Sequence, residues 1–253
     1  GKDAVTPHCR YVLRLADTSL ILAQRLGEWV GHAPAIEEDL GLANISLDLL
    51  GQARMLLTYA GELEGRGRSE DDLAYLREES QFLNATLVEQ PNGDFGQTIV
   101  RQFLIDAWQL ELHEWLQESK DPRLAEIAAK AVKETRYHLR YSAGWLIRLG
   151  DGTEESHARA QVALERLWPF TGELFAADDV DHEVAQAGIG PAPEALLPGW
   201  SARVGAVLAD SRLIEPPVTP FGWHGKQGRH SEHLGHVLAE MQSLHRAHPG
   251  ATW

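Results

Sequence analysis

From Ile36 to Glu64 the chain carries two apolar stripes at helical spacing, and this stretch most narrows what it can fold into. Ile36, Leu40, Ala43, Leu47, Leu50 and Leu57 recur at intervals of three, four and seven. Leu42, Ile45, Leu49, Ala53, Leu56 and Ala60 form a second stripe on the opposite side. Between them lie Asn44, Asp48, Gly51, Gln52, Met55 and Tyr59, and from Asp39 to Arg54 the only ionisable side chain is Asp48. A helix that is apolar or uncharged nearly all round is buried on most sides. The expectation is a central helix of a larger bundle with one carboxylate, Asp48, sunk in it.

The rest of the chain extends the same pattern. Long helices are expected at about 8–30, 36–64, 96–119 and 122–149, with peripheral helices at 153–177, 198–212 and 231–247 and a shorter one near 70–88. Asp121-Pro122 and Thr153-Glu154-Glu155 read as capped helix starts, and Pro91-Asn92-Gly93 reads as a turn. No stretch alternates as a strand would, so the fold class is all-α, a single ferritin-like domain with a four-helix bundle core and added peripheral helices.

Composition limits the partners. The formal net charge is −14, which argues against nucleic acid or an anionic membrane surface. One cysteine, Cys9, excludes an intrachain disulfide and fits a reducing compartment. No apolar run approaches a membrane span, and GKDAVTPHCRY lacks the core of a signal peptide, so a cytoplasmic location is expected.

The buried polar residues pose the functional question. At 100° per residue, Ile99, Phe103, Asp106, Leu110 and His113 share one face of helix 96–119. In helix 122–149 one face carries Leu124, Ile127, Ala128, Ala131, Thr135, His138, Leu139, Ser142, Trp145 and Leu146, with Glu134 and Tyr141 at its edge. Three carboxylates (Asp48, Asp106, Glu134) and two histidines (His113, His138) thus point toward one interior, the setting of a di-iron or di-manganese carboxylate centre.

The spacing argues against that centre. It requires a Glu from each of two helices and Glu-x-x-His from each of two others. Asp17 and Glu28 fall off the apolar face of the first helix, Asp48 is followed at the third place by Gly51, and Glu134 by Tyr137, with His138 one place late. Glu154-x-x-His157 opens a helix after a Gly-rich loop, and Asp179-x-x-His182 lies in an acidic turn. The expectation is therefore no metal site, and a satisfied network of Asp48, Asp106, Glu134 and His138. Those four would bond to one another, to Tyr137 or Tyr141, or to Lys130 or Lys133.

Other candidates have plainer readings. Half of the twelve histidines lie at 224–253, and His233-x-x-His236-x-x-x-Glu240 has metal-binding spacing. Leu234, Val237, Leu238 and Met241 supply a core stripe there, so the histidines are expected on the surface. GWHGKQGRH gathers Lys226 and Arg229 before a helix but lacks P-loop spacing, and Cys9 has no catalytic partner. Trp108 and Trp115, with Leu104, Leu112 and Leu116, give helix 96–119 a second apolar face that needs its own neighbour.

Several phrases resemble one family: GEWVGHAPAIEEDLGLANISLDLLGQAR, LVEQPNGDF, RQFLIDAW, KAVKETRYHLR and GRHSEHLGHVLAEMQSLHRAHPG. They look like the C-type subunits of bacterial phenylacetyl-CoA epoxidases, in the same order and over nearly the whole chain. The resemblance implies a ferritin-like subunit without an active site of its own, supporting a catalytic A-type partner of the same fold that carries the di-iron centre and the acyl-CoA site. It also implies small additional subunits and a reductase with FAD and iron–sulfur, in a system that uses NADPH and oxygen to epoxidise the ring. It assigns no catalytic or cofactor-binding residue to this chain. Two rivals remain: a di-iron oxygenase in its own right using Asp48, Asp106, Glu134 and His138, and a stand-alone ligand-binding bundle.

Overall fold

A computed structural model describes residues 5–31, 36–219 and 222–247, with the side chains of 36–39, 244 and 246 excepted. Among the described residues nine α-helices follow one another: α1 Pro7–Val30, α2 Ile36–Glu64, α3 Glu70–Tyr75, α4 Phe95–Leu116, α5 Pro122–Gly150, α6 Glu154–Leu167, α7 Asp179–Gln186, α8 Leu197–Asp210 and α9 Leu234–Ala247. No strand forms among the described residues, so the chain is all-α, consistent with a ferritin-like bundle. None of these helices is long and apolar enough to cross a membrane.

The starts follow local chemistry. Thr6, Asp94, Asp121 and Thr153 each accept a backbone N–H of the first turn, and Pro7 and Pro122 occupy positions where the missing N–H costs nothing. The helix expected to reach residue 177 stops at Leu167, and Pro169 lies in the tight 3₁₀ turn that follows. The acidic turn at 179–182 is instead a short helix, because Asp178 and Asp181 cap each other's backbone N–H groups. The helix near 70–88 is only the six residues of α3, followed by 3₁₀ turns at Glu79–Gln81 and Thr86–Glu89.

The chain divides into two compact units, 1–90 with 223–253, and 91–222. In the first, α1 packs along α2, and α3, α9 and the turn Thr86–Glu89 add to the pair. In the second, α4 packs against α5, α6 and α8. The second apolar face of α4 is covered in part from within this unit, with Trp108 and Trp115 half-buried. Leu104, Leu112 and Leu116 are buried, and Trp200 of α8 donates Nε1–H to the Leu104 carbonyl at 3.0 Å.

Two expectations about the first unit need correction. One stripe of α2 is wholly inside, with Leu42, Ile45, Leu49, Ala53, Leu56 and Ala60 buried; of the other, Leu57 is buried but Leu40 is 61% exposed, Leu47 65% and Leu50 36%. Asp48 sits at the boundary between the two and is half-buried rather than sunk. Asp17, expected away from the interior, is fully buried. Its Oδ2 accepts Arg77 Nη1 at 3.0 Å and the Leu83 N–H at 2.9 Å, while Oδ1 accepts Arg77 Nη2. The guanidinium also donates to the Gln81 carbonyl and lies 4.1 Å above the Phe82 ring. This pair organises the irregular segment 76–90, whose backbone has no helix ladder to satisfy it. Thr18 of α1 likewise accepts the Ala85 N–H.

Arg77→Ala strands the Asp17 carboxylate in the core and is expected to cost about 3–5 kcal/mol in denaturant unfolding. Arg54→Ala, which breaks an exposed pair with Glu70 at 2.9 Å, is expected to cost under about 1 kcal/mol in the same assay.

Candidate functional site

The polar side chains that α4 and α5 turn toward each other form one layer inside the second unit. Gln102, Asp106, Gln109 and His113 follow the four-three-four spacing of an α4 face, and Thr135, His138 and Ser142 follow three-four on α5; all are buried. Ser142 Oγ lies 2.8 Å from Asp106 Oδ2, and His113 Nδ1 lies 2.9 Å from Thr135 Oγ1. Asp106 and His113 are seven residues apart, as are Thr135 and Ser142, so the two contacts set one antiparallel register.

Asp106 has no cation among its hydrogen-bond partners. Gln102 donates Nε2–H to Oδ1 at 2.7 Å, and Ser142 engages Oδ2. Burial pushes its pKa up to about 8, against the pull of the Ser142 and Gln102 hydrogen bonds, so at neutral pH it holds its proton. The Ser142 contact accommodates that proton, because Ser142 Oγ also lies 3.4 Å from the Leu139 carbonyl and can donate there instead. His113 is neutral for the same reason: burial, with His138 nearby, pushes its pKa down to about 4. Thr135 spends its hydroxyl proton on the Ala131 carbonyl at 2.8 Å, so His113 Nδ1 is the N–H of that imidazole.

Of the residues singled out in the sequence, Asp106, His113 and His138 are buried in this layer. Glu134 is only half-buried, since it stands one residue, or 100°, off the face that holds Thr135 and His138. Asp48 belongs to the other unit. Lys130 and Lys133 are exposed, and the hydrogen bonds to Asp106 come from Gln102 and Ser142 rather than from tyrosine or lysine. The residue three before His138 is Thr135, not Glu134. The pair therefore has the three-residue register of Glu-x-x-His, with a hydroxyl where that motif has a carboxylate. Counting back three from His138 in the sequence would have found it.

These donors do not fit a di-iron or di-manganese centre. Such a centre needs carboxylates to offset the charge of two divalent ions, and α5 offers Thr135 where a glutamate is required. On α2 the place three after Asp48 is Gly51, which is exposed. Among the described residues, no three His, Cys, Asp or Glu side chains group as metal ligands. His236 and Glu240 of α9 are exposed while Leu234, Val237 and Leu238 are buried, so α9 turns those two outward, as expected. His248 lies outside the described residues.

A second buried cluster, in the first unit, was not read from the sequence. Glu89 is fully buried. Its Oε1 accepts the Ser231 N–H at 2.9 Å and hydroxyl at 2.8 Å, and its Oε2 accepts Asn84 Nδ2 at 2.8 Å. His230 Nδ1 lies 2.6 Å from Oε2, and His230 Nε2 lies 2.7 Å from the Phe82 carbonyl. Both ring nitrogens face acceptors, which makes His230 an imidazolium. Burial lowers its pKa, but the hydrogen bond and charge of Glu89, the Phe82 carbonyl and Glu79 outweigh that and raise it. The GWHGKQG loop that delivers His230 turns at Gly228 (φ +86°), and Gly225 sits so close to the Asn84 carbonyl that a Cβ would clash. Lys226 contributes its carbonyl to Arg14 Nε at 3.0 Å, so the loop is structural.

The chain belongs to the phenylacetic acid catabolic protein family, which it matches over residues 1–253. Among known proteins it is similar to the C subunit of 1,2-phenylacetyl-CoA epoxidase from Escherichia coli (strain K12). The two are 55% identical over 243 residues, covering 96% of this chain and 98% of the relative.

The two clusters predict separable pH responses. Asp106 binds its proton more tightly folded than unfolded, so stability falls as pH rises from about 4 to about 8. Asp106→Asn is expected to remove that loss, its melting temperature exceeding wild type by several degrees at pH 9 but not at pH 4. His230 contributes stability that is complete below its unfolded pKa of about 6.5 and lost as pH rises through the higher folded value. Thermal melts of His230→Gln are expected to be lower than wild type at pH 6 and to converge on it at alkaline pH.

Proposed function

We propose that this chain is a structural, non-catalytic subunit of a phenylacetyl-CoA epoxidase, keeping a di-iron catalytic partner of the same fold in its working shape. The observation that carries the reading is the α4–α5 layer. Thr135 stands at the anionic ligand position, Asp106 is proton-bearing and bonded to Gln102 and Ser142, and His113 is neutral and bonded to Thr135. A layer whose carboxyl carries its proton and which holds no second carboxylate has little to offer two divalent cations, and loading it would require deprotonating a carboxyl held neutral by burial. The 55% identity to a protein named as the C subunit of 1,2-phenylacetyl-CoA epoxidase supplies the reaction and the assembly.

In this reading the di-iron centre and the acyl-CoA site reside on the partner, electrons arrive from NADPH through a reductase with FAD and iron–sulfur, and the complex works in the cytoplasm. This chain acts through packing, its buried layer giving the bundle one fixed register rather than a reactive surface.

Anaerobic ferrous loading followed by desalting is expected to leave far less than one iron per chain here, against about two in a working centre of this type. Oxygen- and NADPH-dependent epoxidation of phenylacetyl-CoA is expected only when the catalytic partner and this chain are both present. Turnover by this chain with the reductase alone would overturn the proposal.

A further inference from the structure

We propose that Asn92 deamidates spontaneously through its bond to Gly93, with Thr98 and Arg101 of α4 holding the charge that the reaction develops. The chain has three asparagines, Asn44, Asn84 and Asn92. Loss of the side-chain amide requires the next residue's backbone nitrogen to shed its proton and close a succinimide ring on the asparagine Cγ. An unengaged N–H and a small following residue therefore decide which asparagine reacts. Asn44 lies in α2, where the next N–H belongs to the helix ladder and to Ile45, whose branched side chain is buried. Asn84 is fully buried, its Nδ2 donates to Glu89 Oε2 and the Ala85 carbonyl, and the Ala85 N–H is spent on Thr18 Oγ1 at 3.1 Å. Asn92 is half-buried in the turn ahead of α4. Gly93 is exposed, has no side chain, and makes no hydrogen bond through its N–H among the described residues.

The fold adds a donor at each oxygen that gains charge. Deprotonating the Gly93 amide places negative charge on the Asn92 backbone carbonyl oxygen, and that oxygen accepts the Thr98 hydroxyl at 2.8 Å. Attack on Cγ places charge on the Asn92 side-chain oxygen, and Oδ1 accepts Arg101 Nη2 at 2.7 Å. Thr98 and Arg101 are fully buried in the first two turns of α4, so neither donor has to be ordered as the reaction begins. The neighbouring carboxylate, Asp94, is turned to the Gln97 N–H at 2.9 Å.

The atoms balance with water as the only co-reactant and with no redox step. Gly93 N bonds to Asn92 Cγ, the Cγ–Nδ2 bond breaks, and the amide nitrogen leaves as ammonia with the proton that Gly93 gave up. Water then opens the succinimide. Opening at Cγ gives aspartate. Opening at the main-chain carbonyl gives isoaspartate, which adds a methylene to the backbone just ahead of the Asp94 cap. Either product carries one more negative charge than the −14 of the unmodified chain. The aspartate form sets a carboxylate against the buried Arg101 guanidinium in place of the amide, a charge-assisted contact at the start of the helix that carries Asp106 and His113.

The test is prolonged incubation of the purified full chain at pH 8, followed by peptide mapping with tandem mass spectrometry. Asn92 is expected to gain about 1 Da, the difference between amide and acid, while Asn44 and Asn84 in the same digest stay unmodified. Thr98→Val removes the hydroxyl at nearly constant size and is expected to slow the conversion by about 10-fold, the loss of one hydrogen bond to a developing charge. Thr98→Ser keeps the hydroxyl and is expected to convert as wild type does. Arg101→Met removes the other donor and is expected to slow the conversion as well, with thermal melts taken first to establish that each variant is folded. Conversion at or above the wild-type rate in folded Thr98→Val and Arg101→Met would make these contacts a restraint rather than an aid and overturn the inference. An Asn92 that keeps its amide, or that converts no faster than Asn84, overturns it from the wild-type chain alone, whether or not either variant folds.

Discussion

Charge inside a helical interior must be either paired or suppressed, and this chain uses both devices. The first unit pairs it. Asp17 is gripped by both arms of Arg77, and Glu89 is met by an imidazolium, two donors from Ser231 and one from Asn84. Each pair also satisfies backbone in the segment 76–90, which has only short 3₁₀ turns of its own, so the charges double as scaffolding for a region without a helix ladder. The α4–α5 layer of the second unit suppresses it. Asp106 keeps its proton and His113 refuses one, and both are held by side-chain hydroxyls and an amide.

That difference bears on chemistry. A charged pair holds two elements together but has its lone pairs committed. A neutral layer between α4 and α5 fixes their register through two contacts seven residues apart, at a fraction of the desolvation cost of ions. It also leaves nothing anionic where a divalent ion would need it. Thr135 keeps the layer neutral at that position, because threonine accepts from His113 and donates to Ala131 with no further partner required. The proposed division of labour, with oxygen chemistry on a sister chain, follows from this neutrality together with the kinship to one subunit of an epoxidase.

The exposed side of α2 belongs to the same logic of burial. A helix with two apolar stripes needs two neighbours, and α4 finds both within its own unit, α5 on one face and α8 through Trp200 on the other. On α2, Leu40, Leu47 and Leu50 stay exposed while the opposite stripe is buried. Two helices with similar patterns thus meet different fates.

Sequence alone determined what depends on neighbours a few residues away: helix starts at Asp121 and Thr153, the all-α class, the core face of α5 from Leu124 to Leu146, and the placement of Asp106, His113 and His138 on buried faces. Caps and a 3.6-residue period are local physics and can be read from one strand of text. Tertiary structure alone decided which stripe of α2 faced inward, that Asp17 was buried against Arg77, that Glu89 met His230, and that His113 bonded Thr135. Asp17 and Arg77 are 60 residues apart and Glu89 and His230 are 141 apart. A helix face can be recognised as apolar from its own residues, but whether it is covered, and by which side chain, is settled only when distant parts of the chain pack against it.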